Sequence, residues 1–234
     1  MQQILVIDED MALCELVTKY LEPDGYKVDA VYDGANGVRR ALSGEHALAV
    51  LDHTLSTMNG FEVLGHIRLH SRLPIVMLSS RGDDINRIIA LQIGADDYLA
   101  KPFKPFELVA CIKAVLRREQ FDSERNQERE TLVLGDIELD NRTRTVRRAG
   151  EEVKLTLVEY SLLEKLISAP GRILERAAIV KAVLRRDLSP LDRSIDTHLS
   201  NLRRKLGHQV NGVDRIKTVR GVGYIYAAPE VGKL

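Results

Sequence analysis

The stretch that decides the fold is Ile4–Asp10, which reads ILVIDED, four apolar residues followed at once by three acidic ones. Similar apolar runs recur along the first half of the chain, at Val28–Val31, Ala47–Leu51, Ile75–Leu78 and Tyr98–Ala100. Runs of this length and composition are typical of buried strands. Between them, apolar residues recur at helical spacing. Five strands that alternate with five helices predict an α/β fold, a parallel sheet with helices on both faces.

The composition is that of an ordinary globular protein. The 234 residues are 44% hydrophobic and 29% charged, and a prior of roughly 150 residues per domain allows one or two domains. No apolar stretch approaches the ~20 residues that cross a bilayer, and no secretory signal is visible, so we expect a cytoplasmic protein without membrane contact. Two distant cysteines, Cys14 and Cys111, argue against a disulfide framework or a cysteine-type zinc site.

The net charge of zero hides an asymmetry between the halves of the chain. Residues 1–120 carry 13 basic and 17 acidic side chains, and residues 121–234 carry 21 and 17. Within residues 176–220 the counts are 11 and 4. This basic stretch is a candidate binding site for a polyanion, and a solvated helix face is the alternative.

Charged and hydroxyl side chains follow the predicted strands of the first half. In strand order they are Asp8, Glu9 and Asp10, then Asp52, then Ser79 and Ser80, and finally Lys101. In a doubly wound sheet these strand ends converge at one edge. Carboxylates held close together repel unless a cation joins them, and Mg²⁺ suits a site with few carboxylates. For Asp8 or Asp10 taken singly, a helix N-cap is the alternative.

These residues belong to a wider set of motifs. ILVIDED, LD at Leu51–Asp52, MLSSR at Met77–Arg81, GADDY at Gly94–Tyr98 and KPF at Lys101–Phe103 resemble the receiver domain of two-component response regulators. The resemblance covers residues 2–118 and implies a flavodoxin-like (βα)5 fold. It also implies a cis peptide bond before Pro102.

The resemblance further implies roles for individual residues. Asp52 would be the phosphoacceptor, with a sensor histidine kinase as the partner that supplies the phosphoryl group. Asp8, Glu9, Asp52 and the backbone carbonyl of Thr54 would bind Mg²⁺ (or Mn²⁺). Ser79 and Tyr98 would form a switch pair, and Lys101 would contact the phosphoryl group.

Three positions depart from the usual pattern of receiver domains. Leu55-Ser56 stands where Met-Pro is usual, Ser79 where threonine is usual, and Glu9 where aspartate is commoner. Loss of the proline removes a residue with a fixed φ, so we expect a more mobile loop. Ser79 keeps the hydroxyl, and the longer Glu9 should still reach the metal, directly or through water.

The resemblance also implies a homodimer of the phosphorylated protein, formed through the fourth helix, fifth strand and fifth helix. The charge pairs that join such dimers are matched by Arg87 with Glu107 and by Asp96 with Arg118, whereas Cys111 replaces the basic residue that usually faces Asp97. Exposed pairs contribute ~0–1 kcal/mol each, so this loss should weaken the dimer without abolishing it. An ordinary solvated surface is the alternative.

The second half of the chain has a different pattern. Residues 119–130 are mostly charged or polar and predict a linker or a continued surface helix. Short strand-like pieces follow, then a helix after a capping box at Thr156–Glu159 and a short helix at Arg176–Leu184. A longer helix should begin with Ser189 as N-cap and Pro190 at its first position, and end near Leu206. Apolar segments on both sides of Arg220–Gly223 predict a hairpin.

The longer helix has two contrasting faces. Its buried stripe should consist of Ile195, Leu199, Leu202 and Leu206. Within about 40° of the opposite direction lie Arg193, Thr197, Ser200 and Arg204, with Asn201 beside them. Such donors and hydroxyls suit the base edges of a DNA major groove, and a polar solvent face is the alternative. We expect Arg203 to bind a phosphate or an internal acid, and Lys217 and Arg220 to reach an adjacent DNA backbone or minor groove.

The second half also matches a known pattern. LTLVEY at Leu155–Tyr160, DRSIDTHLSNLRRK at Asp192–Lys205 and VRGVGY at Val219–Tyr224 resemble the winged helix-turn-helix effector domain of the OmpR/PhoB family, over residues 131–228, with 229–234 as a C-terminal tail. Within that family, Leu188–Lys205 looks most like the CpxR branch. The resemblance implies that two phosphorylated subunits bind double-stranded DNA at tandem half-sites. It places an RNA polymerase contact at Leu184–Ser189, where Arg185 and Arg186 could equally touch DNA.

The sequence thus favours a DNA-binding transcription regulator controlled by phosphorylation, and not an enzyme. One alternative is a phosphorylation-independent regulator whose receiver serves only for dimerisation, but the complete receiver motif set argues against it. Another is a phosphatase of the haloacid dehalogenase type, because Ile7–Asp10 resembles its strand and DxD motif, with Asp8 as nucleophile. Met11-Ala12 lacks the usual Thr or Val of that motif, and no late acidic pair is present.

Overall fold

The computed structural model describes residues 1–80, 84–125, 131–184, 186–188, 193–210 and 212–227, with the backbone alone at 80, 84 and 118–125. The chain divides into two compact units, Met1–Arg117 and Arg118–Leu234. Each unit has its own hydrophobic core. The division lies next to the end predicted for the first domain, and the finer limits at 118, 130 and 228 stay predictions.

The first unit is built on a parallel sheet with strand order β2-β1-β3-β4-β5. Its strands are β1 (Gln3–Ile7), β2 (Lys27–Val31), β3 (Leu48–Asp52), β4 (Ile75–Ser80) and β5 (Asp97–Lys101). Strands that are covered by helices on both faces need apolar residues throughout, and Ile4–Ile7 and Leu48–Leu51 are fully buried. The flavodoxin-like fold predicted from the sequence is confirmed.

Helices connect these strands. They are α1 (Met11–Leu21), α2 (Gly34–Ala41), α3 (Gly60–His70), α4 (Asp84–Ile93) and α5 (Pro105–Arg125). Asp10 caps α1, because its side chain accepts a hydrogen bond from the Leu13 N–H. The segment predicted as a linker or continued helix is helical as far as Arg125, and residues 126–130 lie outside the described residues. The Lys101–Pro102 peptide bond is cis, as the resemblance implied.

The second unit begins with an antiparallel sheet and then becomes largely helical. Strands β6 (Thr131–Leu134), β7 (Ile137–Asp140), β8 (Thr145–Arg148) and β9 (Glu151–Glu152) pair in sequence order. Helix α6 (Leu157–Ile167) starts at the predicted capping box of Thr156 and Glu159. It is followed by β10 (Ile173–Glu175), α7 (Arg176–Ile179), a π-helical turn at Val180–Leu184 and α8 (Ser194–Leu206).

The chain then forms two hairpins. Strands β11 (Gln209–Val210) and β12 (Val213–Asp214) pair with each other, and β13 (Ile216–Val219) pairs with β14 (Gly223–Tyr226). The second is the predicted hairpin, and β14 also pairs with β10, which the sequence analysis did not anticipate. Buried α6 and α8 side chains share a core with Tyr224 and Tyr226 of this wing hairpin, β13–β14.

One predicted boundary differs in the structure. Helix α8 begins at Ser194, with Arg193 as N-cap, whereas the predicted start at Ser189 and Pro190 falls outside the described residues. The predicted end at Leu206 is confirmed. Among the described helices, none has both the length and the apolar character that crossing a membrane requires.

Candidate functional site

Three charged side chains meet at the carboxyl edge of the parallel sheet. Asp8 directly follows β1, Asp52 ends β3 and Lys101 ends β5. The Lys101 Nζ lies 2.8 Å from Asp8 Oδ2 and 2.9 Å from Asp52 Oδ1. The structure therefore brings together three of the side chains whose convergence the sheet topology predicted.

Burial controls the electrostatics of this cluster. Asp8 and Asp52 are only 3% and 5% exposed. Burial raises the pKa of Asp8 above its ordinary value, although hydrogen bonds from Lys101 and the Asp10 N–H oppose the rise. Burial alone would lower the pKa of Lys101, but its hydrogen bonds to Asp8 and Asp52 outweigh that effect and raise it. Lys101 is therefore a cation at neutral pH, and it offsets part of the negative charge of the two carboxylates.

The loop after β3 holds the Asp52 carboxylate in place. The Thr54 backbone N–H donates to Asp52 Oδ2 over 3.1 Å, and the Gly60 N–H donates to the His53 carbonyl over 3.0 Å. A Cβ at position 60 would lie 2.2 Å from the Asp52 carbonyl oxygen. Glycine is therefore required where α3 starts this close to β3.

Ser79 and Tyr98, the predicted switch pair, lie on neighbouring strands. Ser79 is fully buried, and its Oγ has no hydrogen-bond partner among the described residues. Tyr98 is half-buried and packs against the core. In the register of β4 and β5, Met77 pairs with Tyr98 and Ser79 with Ala100, so Ser79 and Tyr98 share one face of the sheet.

Glu9, predicted as a metal ligand, contacts Ser56 in the structure. Its Oε1 accepts hydrogen bonds from the Ser56 N–H over 2.5 Å and from the Ser56 hydroxyl over 2.7 Å. In the described part of the chain, no three acidic, histidine or cysteine side chains are grouped so that they could hold a metal ion. The carboxylates of Asp8 and Asp52 alone still fit Mg²⁺, which takes one or two carboxylates and keeps several waters.

Two of the predicted dimer residues, Asp96 and Asp97, are buried. Asp96 is fully buried, and its Oδ2 accepts hydrogen bonds from Arg68 Nη2 over 2.8 Å and from the Ile75 N–H over 2.9 Å. Asp96 is therefore not exposed in the single chain, and its pairing with Arg118 of another subunit stays a prediction. Its carboxylate instead connects α3 to the start of β4, inside the unit.

The other predicted dimer residues are spread over α4, β5 and α5. Arg87 is half-buried and Glu107 is exposed. Asp97 is 8% exposed, and its Oδ1 accepts a hydrogen bond from the Tyr98 N–H. Cys111 is half-buried, and the side chain of Arg118 lies outside the described residues. The structure describes the side chains of four of the predicted charged residues of the dimer interface. Of these four, Glu107 is the most exposed to solvent.

The polar face of α8 is narrower than the helical spacing predicted. Arg193, Ser200 and Arg204 are exposed, but Thr197 and Asn201 are only 8% and 3% exposed. The Thr197 hydroxyl donates to the Arg193 carbonyl over 3.3 Å, and Arg204 Nη2 donates to Asn201 Oδ1 over 3.2 Å. The expectation that Thr197 and Asn201 face solvent is wrong, because neighbouring side chains and backbone enclose them.

Arg203 connects α8 to the wing hairpin. Its Nε donates to the Ile216 carbonyl over 3.0 Å and its Nη2 to the Thr218 hydroxyl over 2.8 Å. These partners are a backbone carbonyl and a hydroxyl, so the expectation of an internal acid is wrong. Lys217 and Arg220 are both exposed on the wing hairpin, which therefore presents two cations to solvent.

The loop predicted to contact RNA polymerase is described only in part. Arg185 and Ser189 lie outside the described residues. Arg186 Nη2 donates to the Ser194 hydroxyl at the start of α8 over 3.1 Å. This contact places Arg186 beside the helix that carries the predicted DNA-binding residues.

The two units match two known protein families. Residues 4–113 match the response regulator receiver domain, and residues 150–226 match the C-terminal domain of transcriptional regulatory proteins. The CpxR homologue of Haemophilus influenzae is 38% identical over 96% of this chain and 98% of that protein. A solved structure of the OmpR/PhoB homologue DrrB of Thermotoga maritima is 27% identical, with a TM-score of 0.51 over 97% of this chain and 100% of that chain.

The chain belongs to the OmpR/PhoB family of response regulators.

This OmpR/PhoB-family member is a transcription regulator with a receiver domain and a winged DNA-binding domain, and not an enzyme. The phosphatase alternative, with Asp8 as nucleophile, is therefore not supported. The regulator GltR of Pseudomonas aeruginosa is 41% identical over 97% of this chain and 95% of that protein. Since relatives with different names match at similar identity, these matches show the family rather than one branch of it.

The first turn of α8 in this family member carries an ion-pair network that its sequence does not reveal. Asp196 accepts hydrogen bonds from Arg176 Nη1 over 2.9 Å and from the Tyr224 hydroxyl. Arg176 starts α7 and Tyr224 lies in β14, so Asp196 connects α8 to both elements. These partners are 20 and 28 residues from Asp196, and no local spacing could have revealed the network.

Proposed function

We propose that Asp52 accepts a phosphoryl group from a sensor histidine kinase, and that this modification controls DNA binding by the C-terminal domain. The observation that carries this proposal is the cluster in which Lys101 contacts the buried carboxylates of Asp8 and Asp52. A carboxylate oxygen of Asp52 would form the new bond to phosphorus while the bond to the donor breaks. Lys101 and the Ser79 hydroxyl, which has no hydrogen-bond partner in the part of the chain that the structure describes, would donate hydrogen bonds to the phosphoryl oxygens.

The same cluster would hold a divalent cation. Asp8 and Asp52, with the backbone carbonyl of Thr54, supply the hard oxygen donors that Mg²⁺ or Mn²⁺ prefers. Such an ion supplies charge neutralisation for an incoming phosphoryl group. Lys101 adds a fixed positive charge next to both carboxylates, so part of this neutralisation is present in the chain itself.

The signal would pass from Asp52 to the surface through Ser79 and Tyr98. A Ser79 hydroxyl drawn towards the phosphoryl group would leave space for Tyr98, which lies on the same face of the sheet, to turn inward. This rearrangement would change the face formed by α4, β5 and α5 and favour a homodimer. Arg87 and Glu107 are the charged pair that we propose to join its two subunits.

The exposed part of α8 and the wing hairpin would bind the DNA. Ser200 and Arg204 are exposed on α8 and would contact base edges in the major groove. Arg193, Lys217 and Arg220 are exposed cations that would contact phosphates. A phosphorylated dimer would occupy tandem half-sites, with RNA polymerase as a further partner at the promoter.

The first test follows phosphorylation by intact-mass spectrometry. The full chain is incubated with acetyl phosphate and Mg²⁺, and we expect one phosphoryl adduct that Asp52→Asn abolishes. Asp10→Asn is the matched control, because asparagine caps a helix as well as aspartate and leaves Asp52 untouched. An adduct that persists in Asp52→Asn would contradict the proposed phosphoacceptor.

The second test measures DNA binding by gel shift, with a target chosen by random-sequence selection. Phosphorylation should tighten binding by the unsubstituted chain and should have no effect on Asp52→Asn. Equal affinity of the unsubstituted chain before and after phosphorylation would favour the alternative in which the receiver domain serves only for dimerisation.

A further inference from the structure

The Glu9 carboxylate is exposed, yet two hydrogen bonds hold it in one place. Both come from Ser56, which lies 47 residues further along the chain, through its N–H at 2.5 Å and its hydroxyl at 2.7 Å from Oε1. Glu9 thus connects the loop after β1 to the loop after β3.

This pairing depends on the residue type at position 56. A proline there would have neither the backbone N–H nor the hydroxyl, so both donors would be lost. Glu9 and Ser56 are also two of the positions at which the sequence departs from the usual receiver pattern. The structure shows these two departures in direct contact with each other.

The loop that Ser56 occupies already has fixed points on both sides. Before it, the Thr54 N–H bonds the Asp52 carboxylate and Leu55 is 8% exposed within the hydrophobic core. After it, the Gly60 N–H bonds the His53 carbonyl. Ser56 itself is exposed, and Glu9 provides its side-chain contact with another loop. Gain or loss of the hydrogen bonds between Ser56 and Glu9 therefore affects a segment that is hydrogen-bonded directly to the Asp52 carboxylate.

We propose that Glu9 is a positioning residue that fixes the 53–59 loop through Ser56 and lies outside the metal ligand set. The loop in turn orients the Asp52 carboxylate through the Thr54 N–H. This inference rests on the proposed function insofar as Asp52 is the phosphoacceptor. The contact between Glu9 and Ser56 itself can be tested without a metal or a phosphoryl donor.

The first experiment is hydrogen exchange measured by mass spectrometry on the full chain without metal. Glu9→Ala should speed the exchange of peptides spanning residues 53–59 by about two- to tenfold, the range expected when hydrogen bonds of ordinary strength are lost. Ser56→Ala keeps the N–H donor and should have a smaller effect. Glu62→Ala is the matched control, since it removes an exposed glutamate from α3 without touching Ser56, and it should leave these peptides unchanged. Unchanged exchange in Glu9→Ala would overturn the proposal.

The second experiment measures Mg²⁺ binding by isothermal titration calorimetry. Glu9→Gln keeps a carbonyl acceptor for Ser56 and removes the charge, so the Mg²⁺ affinity of this variant should stay within about threefold of that of the unsubstituted chain. Asp8→Asn should lower the Mg²⁺ affinity by about tenfold or more. Equal losses in the two variants would make Glu9 a ligand and overturn the proposal. If the unsubstituted chain binds no Mg²⁺, the proposal of a metal site at Asp8 and Asp52 is refuted. The hydrogen-exchange experiment alone then decides the role of Glu9.

Discussion

Replacement of Gly60 by alanine tests how closely α3 must approach β3, the strand that ends in Asp52. The added Cβ would lie 2.2 Å from the Asp52 carbonyl oxygen and 2.6 Å from the His53 Cα. Carbon and carbonyl oxygen normally approach no closer than roughly 3.3 Å, so the start of α3 must move by about 1 Å. Overpacking of this kind costs ~1–3 kcal/mol of unfolding free energy.

A second glycine in the same helix provides the control. A Cβ at Gly65 would meet nothing within 4 Å beyond its chain neighbours and the backbone of its own helix, so Gly65→Ala should stabilise the first unit by about 0.5–1 kcal/mol through helix propensity. The same chemical change is therefore expected to have opposite signs at two positions five residues apart. Only the position next to Asp52 should also slow phosphorylation by acetyl phosphate.

Hydrogen exchange of the full chain separates the two units without dividing the protein. Amides of β1 and β3 report opening of the first unit, and those of β14 serve as an internal reference. Since each 1.4 kcal/mol is a factor of ten, Gly60→Ala should speed exchange in β3 by about 5- to 150-fold, and Gly65→Ala should slow it by about two- to fivefold. If Gly60→Ala slows exchange as Gly65→Ala does, the steric argument is refuted.

Three further predictions concern the second unit. Hydrogen bonds from Arg215 hold the pKa of Asp136 below its ordinary value. The stability that this pair contributes is complete above the pKa of an unfolded aspartate and is lost as the pH falls through the lower pKa of the folded state. Asp136→Asn should therefore make hydrogen exchange in β14 less sensitive to acid. A Cβ at Gly223 would lie 1.9 Å from the Leu174 carbonyl oxygen, so Gly223→Ala should separate β14 from β10 and speed exchange there, and unchanged protection would contradict the packing. Lys217→Ala should weaken DNA binding for all sequences and reduce the slope of log affinity against log salt by about 1, whereas an unchanged slope would argue against a phosphate contact.

Much of the first unit could be predicted because its signals are local. Each buried strand is a continuous apolar run, and the order of strands and helices limits the sheet to few topologies. That topology alone places Asp8, Asp52 and Lys101 at one edge, although they are far apart in sequence. The convergence of these three residues therefore follows from strand order, and it needs no knowledge of side-chain packing.

Where the structure differs from what the sequence suggested, the physical cause is the enclosure of polar groups by distant or neighbouring partners. Asp96 is buried because Arg68, 28 residues earlier, supplies a charged hydrogen bond. Helical periodicity places Thr197 and Asn201 opposite the apolar stripe, but it does not reveal local contacts such as those with the Arg193 carbonyl and the Arg204 side chain. The contact of Glu9 with Ser56 could not be predicted either, because its donors lie in another loop, 47 residues along the chain.

The hydrogen bonds of Arg203 and Asp196 have a consequence for the length of the operator. Because they attach α8 to β13 and β14 before any DNA is present, little conformational entropy is lost in arranging helix and wing upon binding. The span along the duplex between the two contacts is thereby set by the protein. We therefore expect a bound DNA site to tolerate sequence changes between these contacts far better than the insertion of a single base pair.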